Sequence, residues 1–186
     1  NEVTIYDDAG AHPLARAAYD GDRGAPVRWE TRDGVDRPKG WEGHDDLVEL
    51  DHSDERVAAL VADVMTHWLR RGIAGWRLDV AYAVPPEFWR TVLGTVREEF
   101  PDAYFLGEVI HGDYVEIVRA ATLDSVTQYE LWKGIWSSLA EENLWELAWA
   151  VTRHDSFSRD LVLQTFVGNH DVTRIASAVG DAKAVL

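Results

Sequence analysis

Cysteine is absent from the 186 residues. That excludes a disulfide framework and weighs toward the cytoplasm without excluding secretion. Long apolar runs are also missing. No stretch approaches the roughly 20 residues of a membrane span, and the first residues, NEVTIYDDAG, lack the basic and apolar regions of a signal peptide. Positive charge is scarce: 18 Lys and Arg stand against 33 Asp and Glu, a formal net charge of -15. Such a surface repels phosphate backbones and anionic lipid, so neither a nucleic acid nor a membrane is expected as a partner. Glycine-rich loops of the GxGxxG or GxxxxGK type follow none of the apolar runs, which removes the main support for a nucleotide-binding open sheet.

What is present points to a folded domain. The chain is 46% hydrophobic and 11% aromatic, enough for a sizeable core. A neutral polyol such as a sugar suits its charge best. The nine Trp can serve as platforms for the apolar faces of sugar rings, and equally as core material.

Residues 1–52 are rich in Gly, Asp, Arg and Pro and show neither a period of 3.6 nor sustained alternation, which reads as a long loop or small irregular subdomain. Order sharpens from Ser53, a candidate cap for a helix with Val57, Leu60, Val61, Val64 and Trp68 on one face, ending near Gly72. GWRLDVA supplies a strand at 75–80. Pro85 and Pro86 open a second helix with the stripe Phe88, Val92, Val96 and Phe100, closed by Pro101. YFLGEV (104–109) is the next strand, followed by a helix at 114–121, a strand at 124–129, a Trp-rich helical stretch to about Val151, the strand LVLQTFV (161–167) and a helix from about Thr173. Helix and strand alternate throughout, so the strands are expected to be parallel and covered by helices. Of the two architectures with that pattern, the eight-stranded barrel is favoured over the open sheet.

In such a barrel the active site lies at the carboxyl ends of the strands. The residues there are Arg77 and Asp79, Glu108, and Asn169, His170 and Asp171. Asp79 and Glu108 are 29 residues apart, one strand-helix unit, and Glu108 and Asp171 are 63 apart, about two units. Three acids on one rim suit a retaining glycosidase, which needs a carboxylate nucleophile and a protonated partner roughly 5 to 5.5 Å away. Arg77 lies two residues before Asp79, on the same side of an extended strand, where its charge can keep Asp79 ionised. Phe105, Leu106 and Gly107 precede Glu108, surroundings that favour a protonated acid. Taken singly each feature has a plainer reading: an Arg-x-Asp ion pair, a solvated rim Glu, a helix cap. Their order and unit spacing tell against three coincidences.

GWRLDVA, FLGEV and FVGNHD together resemble three signature segments of the alpha-amylase family, glycoside hydrolase family 13, in the family's order and over about residues 45–180. The resemblance implies a (β/α)8 TIM barrel of which this chain carries strands four to seven. It implies two regions: 1–52, the tail of the insertion after strand three, and 53–186, a partial catalytic barrel with the remainder of the barrel supplied by sequence outside this chain. It implies Asp79 as nucleophile, Glu108 as general acid/base and Asp171 as the carboxylate that binds sugar hydroxyls and stabilises the transition state. Arg77, His170, Asn169 and, further from the cut, Arg174 are implied as substrate-side supports, and Tyr82 as a residue able to stack on a sugar. The substrate class implied is an α-glucan, a maltooligosaccharide or a cyclodextrin.

One departure bears on cofactors. Many alpha-amylases follow the nucleophile with a Lys-His pair serving the leaving-group side and a calcium site, whereas Val80, Ala81, Tyr82 and Ala83 stand here. Calcium is therefore unsupported at that point, no other metal or cofactor is expected, and the segment is closer to the cyclomaltodextrinase and neopullulanase-like branch. Two rival functions can be weighed. GNHD also occurs in metallophosphoesterases, but their site needs an early Asp-x-His, which occurs nowhere in the chain. A non-catalytic sugar-binding barrel is the other, and the retention of all three acids argues against it.

Overall fold

The computed structural model describes residues 6–7, 10–11 and 22–180. Of the expected 1–52 region, residues 1–5, 8–9 and 12–21 lie outside the described residues, as do 181–186 of the partial barrel. Strands β1 (Tyr6–Asp7) and β2 (Gly10–Ala11) pair antiparallel. Residues 29–48 are more regular than their composition suggested. β3 (Trp29–Arg32) and β4 (Val35–Pro38) form one hairpin, β5 (Gly40–Trp41) and β6 (His44–Val48) another. Both turn on two residues of positive φ, Asp33-Gly34 and Glu42-Gly43, the combination that matches strand twist in a two-residue hairpin loop. The region is docked on the main core through the buried Trp41 and through Leu47 and Leu50.

The rest alternates as expected. Helix α1 (Glu55–Leu69) is capped by Asp54, whose side chain accepts from the N–H of Arg56, rather than by Ser53, whose hydroxyl donates to Asp51 instead. Val57, Ala62, Met65 and Leu69 are its buried positions. Trp68, expected on that face, is 47% exposed: it lies beside the i, i+4 row that meets the sheet, and its ring packs edge-on against His67.

Strand β7 (Gly75–Leu78), helix α2 (Pro86–Glu99), β8 (Tyr104–Gly107), helix α3 (Tyr114–Ala121) and β9 (Ser125–Val126) follow. The strands pair in parallel in the order β7-β8-β9, with Arg77 opposite Leu106 and Gly107 opposite Val126, so their carboxyl ends open on one side. Val92 and Val96 of α2 are fully buried, as are Phe105, Val109, Tyr114 and Val126, and Phe88 nearly so. The i, i+4, i+8 stripe of α2 is what clamps helix to sheet.

Two expectations are corrected. The Trp-rich stretch is two helices, α4 (Tyr129–Glu141) and α5 (Trp145–Phe157), broken where Glu142 takes φ 57°. Small buried residues of α4, Gly134, Ser137 and Ser138, let α5 approach closely, and a Cβ on Gly134 would sit 2.9 Å from that of Ala150. The expected strand at 161–167 is an extended segment joined to the sheet by a single parallel bridge, Gln164 to Thr127. Leu161 and Leu163 face the core while Val162 and Val167 are exposed, so the apolar run is covered on one side only. Helix α6 (Ile175–Val179) follows. No described helix is long and apolar enough to cross a membrane.

Candidate active site

Asp79 and Glu108 sit where β7 and β8 stop, and Asp171 follows the extended segment that bridges to Thr127. β7 ends at Leu78, and the chain turns sharply through Val80, a β-branched residue held at φ 46°, ψ 40°. Such a conformation is costly outside glycine and persists only where the surroundings enforce it. Here it aims the Val80 N–H at Oε2 of Glu108, 3.1 Å away, while the N–H of Ala81 donates to the Glu108 carbonyl at 3.0 Å. The turn after β7 is thus stitched to the end of β8. Thr127, just past β9, does the same from the other side, its hydroxyl accepting from the N–H of Val109 at 2.9 Å and meeting the Val109 carbonyl at 3.1 Å.

Arg77 is the hub. Its Nη1 donates to Oδ1 of Asp79 at 2.5 Å, and its Nη2 lies 2.8 Å from Oε1 of Glu108 and 3.7 Å from Oδ2 of Asp171. One planar fork therefore reaches all three acids, two of them just past β7 and β8 and the third on the loop that follows the Gln164 segment. Glu108 is only 5% exposed. Its Oε1 also accepts from the Tyr129 hydroxyl at 2.9 Å, and that hydroxyl accepts from Nδ2 of Asn169 at 2.8 Å. Oδ1 of Asn169 in turn accepts from the Asp171 N–H at 3.0 Å, and His170 Nε2 lies 3.2 Å from Oδ2 of Asp171.

Burial pushes the Asp79 carboxyl up, but a hydrogen bond with Glu108 and then the Arg77 contacts outweigh it, leaving Asp79 below its ordinary value. A carboxyl held below its ordinary value suits a nucleophile, which has to be ionised.

Asp79, Glu108, Asp171, Arg77, Asn169 and His170 are thus brought together. Tyr82 stands at the rim, half-buried, its ring centroid 5.2 Å from that of His111. Arg174 is exposed just before α6 and is not among the groups this network joins. Among the described residues no cluster of three or more His, Asp or Glu side chains is arranged to hold a metal ion. Sequence reasoning missed Tyr129. The sequence pattern runs the strand 124–129 through it, whereas it begins α4; the rule that singles out the acids, a polar group just past a strand's carboxyl end, also covers it.

The family model for the alpha-amylase catalytic domain matches residues 24–186. The chain belongs to the alpha-amylase family. A cyclomaltodextrinase of Geobacillus thermopakistaniensis is 30% identical over 140 residues, 72% of this chain and 24% of that protein. An intracellular maltogenic amylase of Bacillus subtilis is 40% identical over 67 residues, 36% of this chain and 11% of that protein. The chain therefore spans about a quarter of the first relative's length. Among solved structures, the cyclic alpha-maltosyl-(1-->6)-maltose hydrolase of Arthrobacter globiformis superposes with a TM-score of 0.76 at 21% identity, over 91% of this chain and 42% of that one. The alpha-amylase domain is a (β/α)8 barrel; the described residues form an open part of it, with β7, β8, β9 and the Gln164 segment as successive strands. This membership removes the metallophosphoesterase reading of Gly168–Asp171.

Proposed function

We propose that the protein hydrolyses or transfers α-linked glucosyl units with retention of configuration, on α-glucans, maltooligosaccharides or cyclodextrins. The observation that carries this reading is the Arg77 fork, which joins Asp79 and Glu108 while Asp79 is held ionised. Asp79 attacks the anomeric carbon as Glu108 passes its proton to the departing oxygen. Glu108 then takes a proton from water, which releases the sugar from Asp79. Asp171, held between Arg77 and His170, binds the sugar's hydroxyls.

Support for the substrate class comes from the names of the relatives, cyclomaltodextrinase and maltogenic amylase. An intracellular setting belongs to the same proposal, supported by the name of the Bacillus subtilis relative. The test is incubation of the complete protein with 5-fluoro-α-glucosyl fluoride, followed by intact mass and peptide mapping. A single glycosyl adduct on Asp79 is expected. A folded protein that acquires no adduct and cleaves no α-glucan is a sugar-binding barrel, and the catalytic reading is then lost.

A further inference from the structure

Tyr129, like Arg77, joins separate parts of the site without being an acid or a base of the reaction. Its hydroxyl donates to Glu108 Oε1 at 2.9 Å and accepts from Asn169 Nδ2 at 2.8 Å. Asn169 then receives the Asp171 N–H at 3.0 Å, so a single phenol ties the carboxyl at the end of β8 to the segment that carries Asp171.

The ring has little freedom to do otherwise. It is buried, Phe166 meets it edge-on at 4.9 Å and Trp132 edge-on at 5.7 Å. The backbone beneath it is fixed by the Gln128 N–H donating to the Gln164 carbonyl at 2.9 Å and by the Gln128 side chain capping α4. A plain core tyrosine would satisfy its hydroxyl on any nearby carbonyl; this one spends both hydrogen-bonding directions on site residues.

The two oxygens of Glu108 are consequently unequal. Oε1 is held by two side-chain donors, Arg77 Nη2 at 2.8 Å and Tyr129. Oε2 accepts from the backbone N–H of Val80 at the longer distance of 3.1 Å. A protonated carboxylic acid keeps its proton on the oxygen with fewer donors aimed at it, since a donor repels an O–H. We propose that Tyr129 is a positioning residue which anchors Oε1 of Glu108 and thereby selects Oε2 as the oxygen that gives and recovers the proton. Burial, and then the hydrogen bond to Glu108, push the Tyr129 hydroxyl up to about 12, so it stays a donor throughout the working range of a glycosidase.

This inference rests on the glycosidase reading, and its test separates the two. Tyr129→Phe, in the complete protein, keeps the ring packed and removes only the hydroxyl. On a maltooligosaccharide, whose leaving group requires protonation, kcat should fall roughly 10- to 100-fold, the loss expected for one hydrogen bond to a charged group. KM should stay within about twofold, and turnover of α-maltosyl fluoride, whose leaving group needs far less protonation, should fall much less. Replacement of Tyr129 by 4-aminophenylalanine, which restores a donor at the same place, should recover maltooligosaccharide turnover. Equal losses on both substrates without rescue would assign Tyr129 to packing alone and overturn the proposal, as would an unchanged kcat. A wild-type protein that turns over neither substrate and forms no adduct on Asp79 rejects the glycosidase reading itself, and the positioning role with it.

Discussion

Arg77 and Asp79 lie two residues apart on one side of an ending strand, and the guanidinium of the first meets the carboxylate of the second at 2.5 Å. The same guanidinium reaches Glu108 at 2.8 Å, a task that a fork can perform and a point charge cannot. Arg77→Lys should therefore lower kcat/KM on the order of 100-fold, the effect of displacing a reacting group by about an ångström. The pH profile should move too. On the proposed mechanism Asp79 acts ionised, and its pKa is lowered in part by Arg77, so activity should be present above that pKa and be lost as the pH falls through it. Weakening the Arg77 contacts raises it, and the acidic limb of kcat/KM should shift to higher pH. An acidic limb that stays in place would separate Arg77 from the ionisation of Asp79.

Glu108 is buried, and its donors come from three elements: Arg77 on β7, Val80 in the turn after it and Tyr129 on α4. Glu108→Gln keeps the volume and removes the transferable proton. Turnover of unactivated α-glucans should drop by roughly 10²- to 10⁴-fold, the contribution of a positioned general acid. Aryl α-glucosides with good leaving groups should lose far less in the first step, and steady-state kinetics on a series of such aglycones would measure the difference. A uniform loss across the series would remove the acid role.

The three acids were legible because each closes an apolar run, and β-strand geometry then fixes where the next side chains point. Arg77 was legible through the two-residue period of the same strand. Other features depended on contacts that a linear pattern does not carry. Tyr129 is aromatic and precedes a Trp-rich segment, so its pattern is that of core; only the fold brings Glu108 and Asn169 to its hydroxyl. The hairpins of residues 29–48 were hidden by charge. TRDGVD holds the turn of a hairpin in which Glu30 faces Arg37 as an ion pair, and WEGHDD holds its turn pair between Trp41 and His44, so neither shows alternating apolar residues. The apolar run at 161–167 promised a full strand, but with a partner on one side it makes a single bridge.

Thr127 secures the backbone beside Glu108 with two hydrogen bonds to Val109. Thr127→Val is nearly isosteric, yet it strands a buried N–H and a buried carbonyl. Urea unfolding should show a loss of roughly 1 to 3 kcal/mol, the cost of leaving such groups unsatisfied. Unchanged stability would mean that Val109 finds other partners.

Gly75 begins the GWRLD segment for a steric reason. It pairs with Tyr104 at the start of the β7–β8 ladder, and a Cβ built on it would lie 2.0 Å from the Tyr104 carbonyl oxygen. Backbone cannot swing aside as a flexible side chain can, so Gly75→Ala has to separate the two strands. Thermal or urea unfolding should show a loss of about 1 to 3 kcal/mol, as for other overpacked sites, and activity should fall as well, because Arg77 and Asp79 ride on the displaced strand. Gly94 is the control. It lies within α2, and nothing comes within 4 Å of a Cβ placed there. Gly94→Ala should therefore stabilise the protein by about 0.5 to 1 kcal/mol through helix propensity, with activity unchanged. If the two substitutions had the same effect, the Gly75 clash would be relieved by a local shift, and the register of β7 on β8 would not be what holds Arg77 against Glu108.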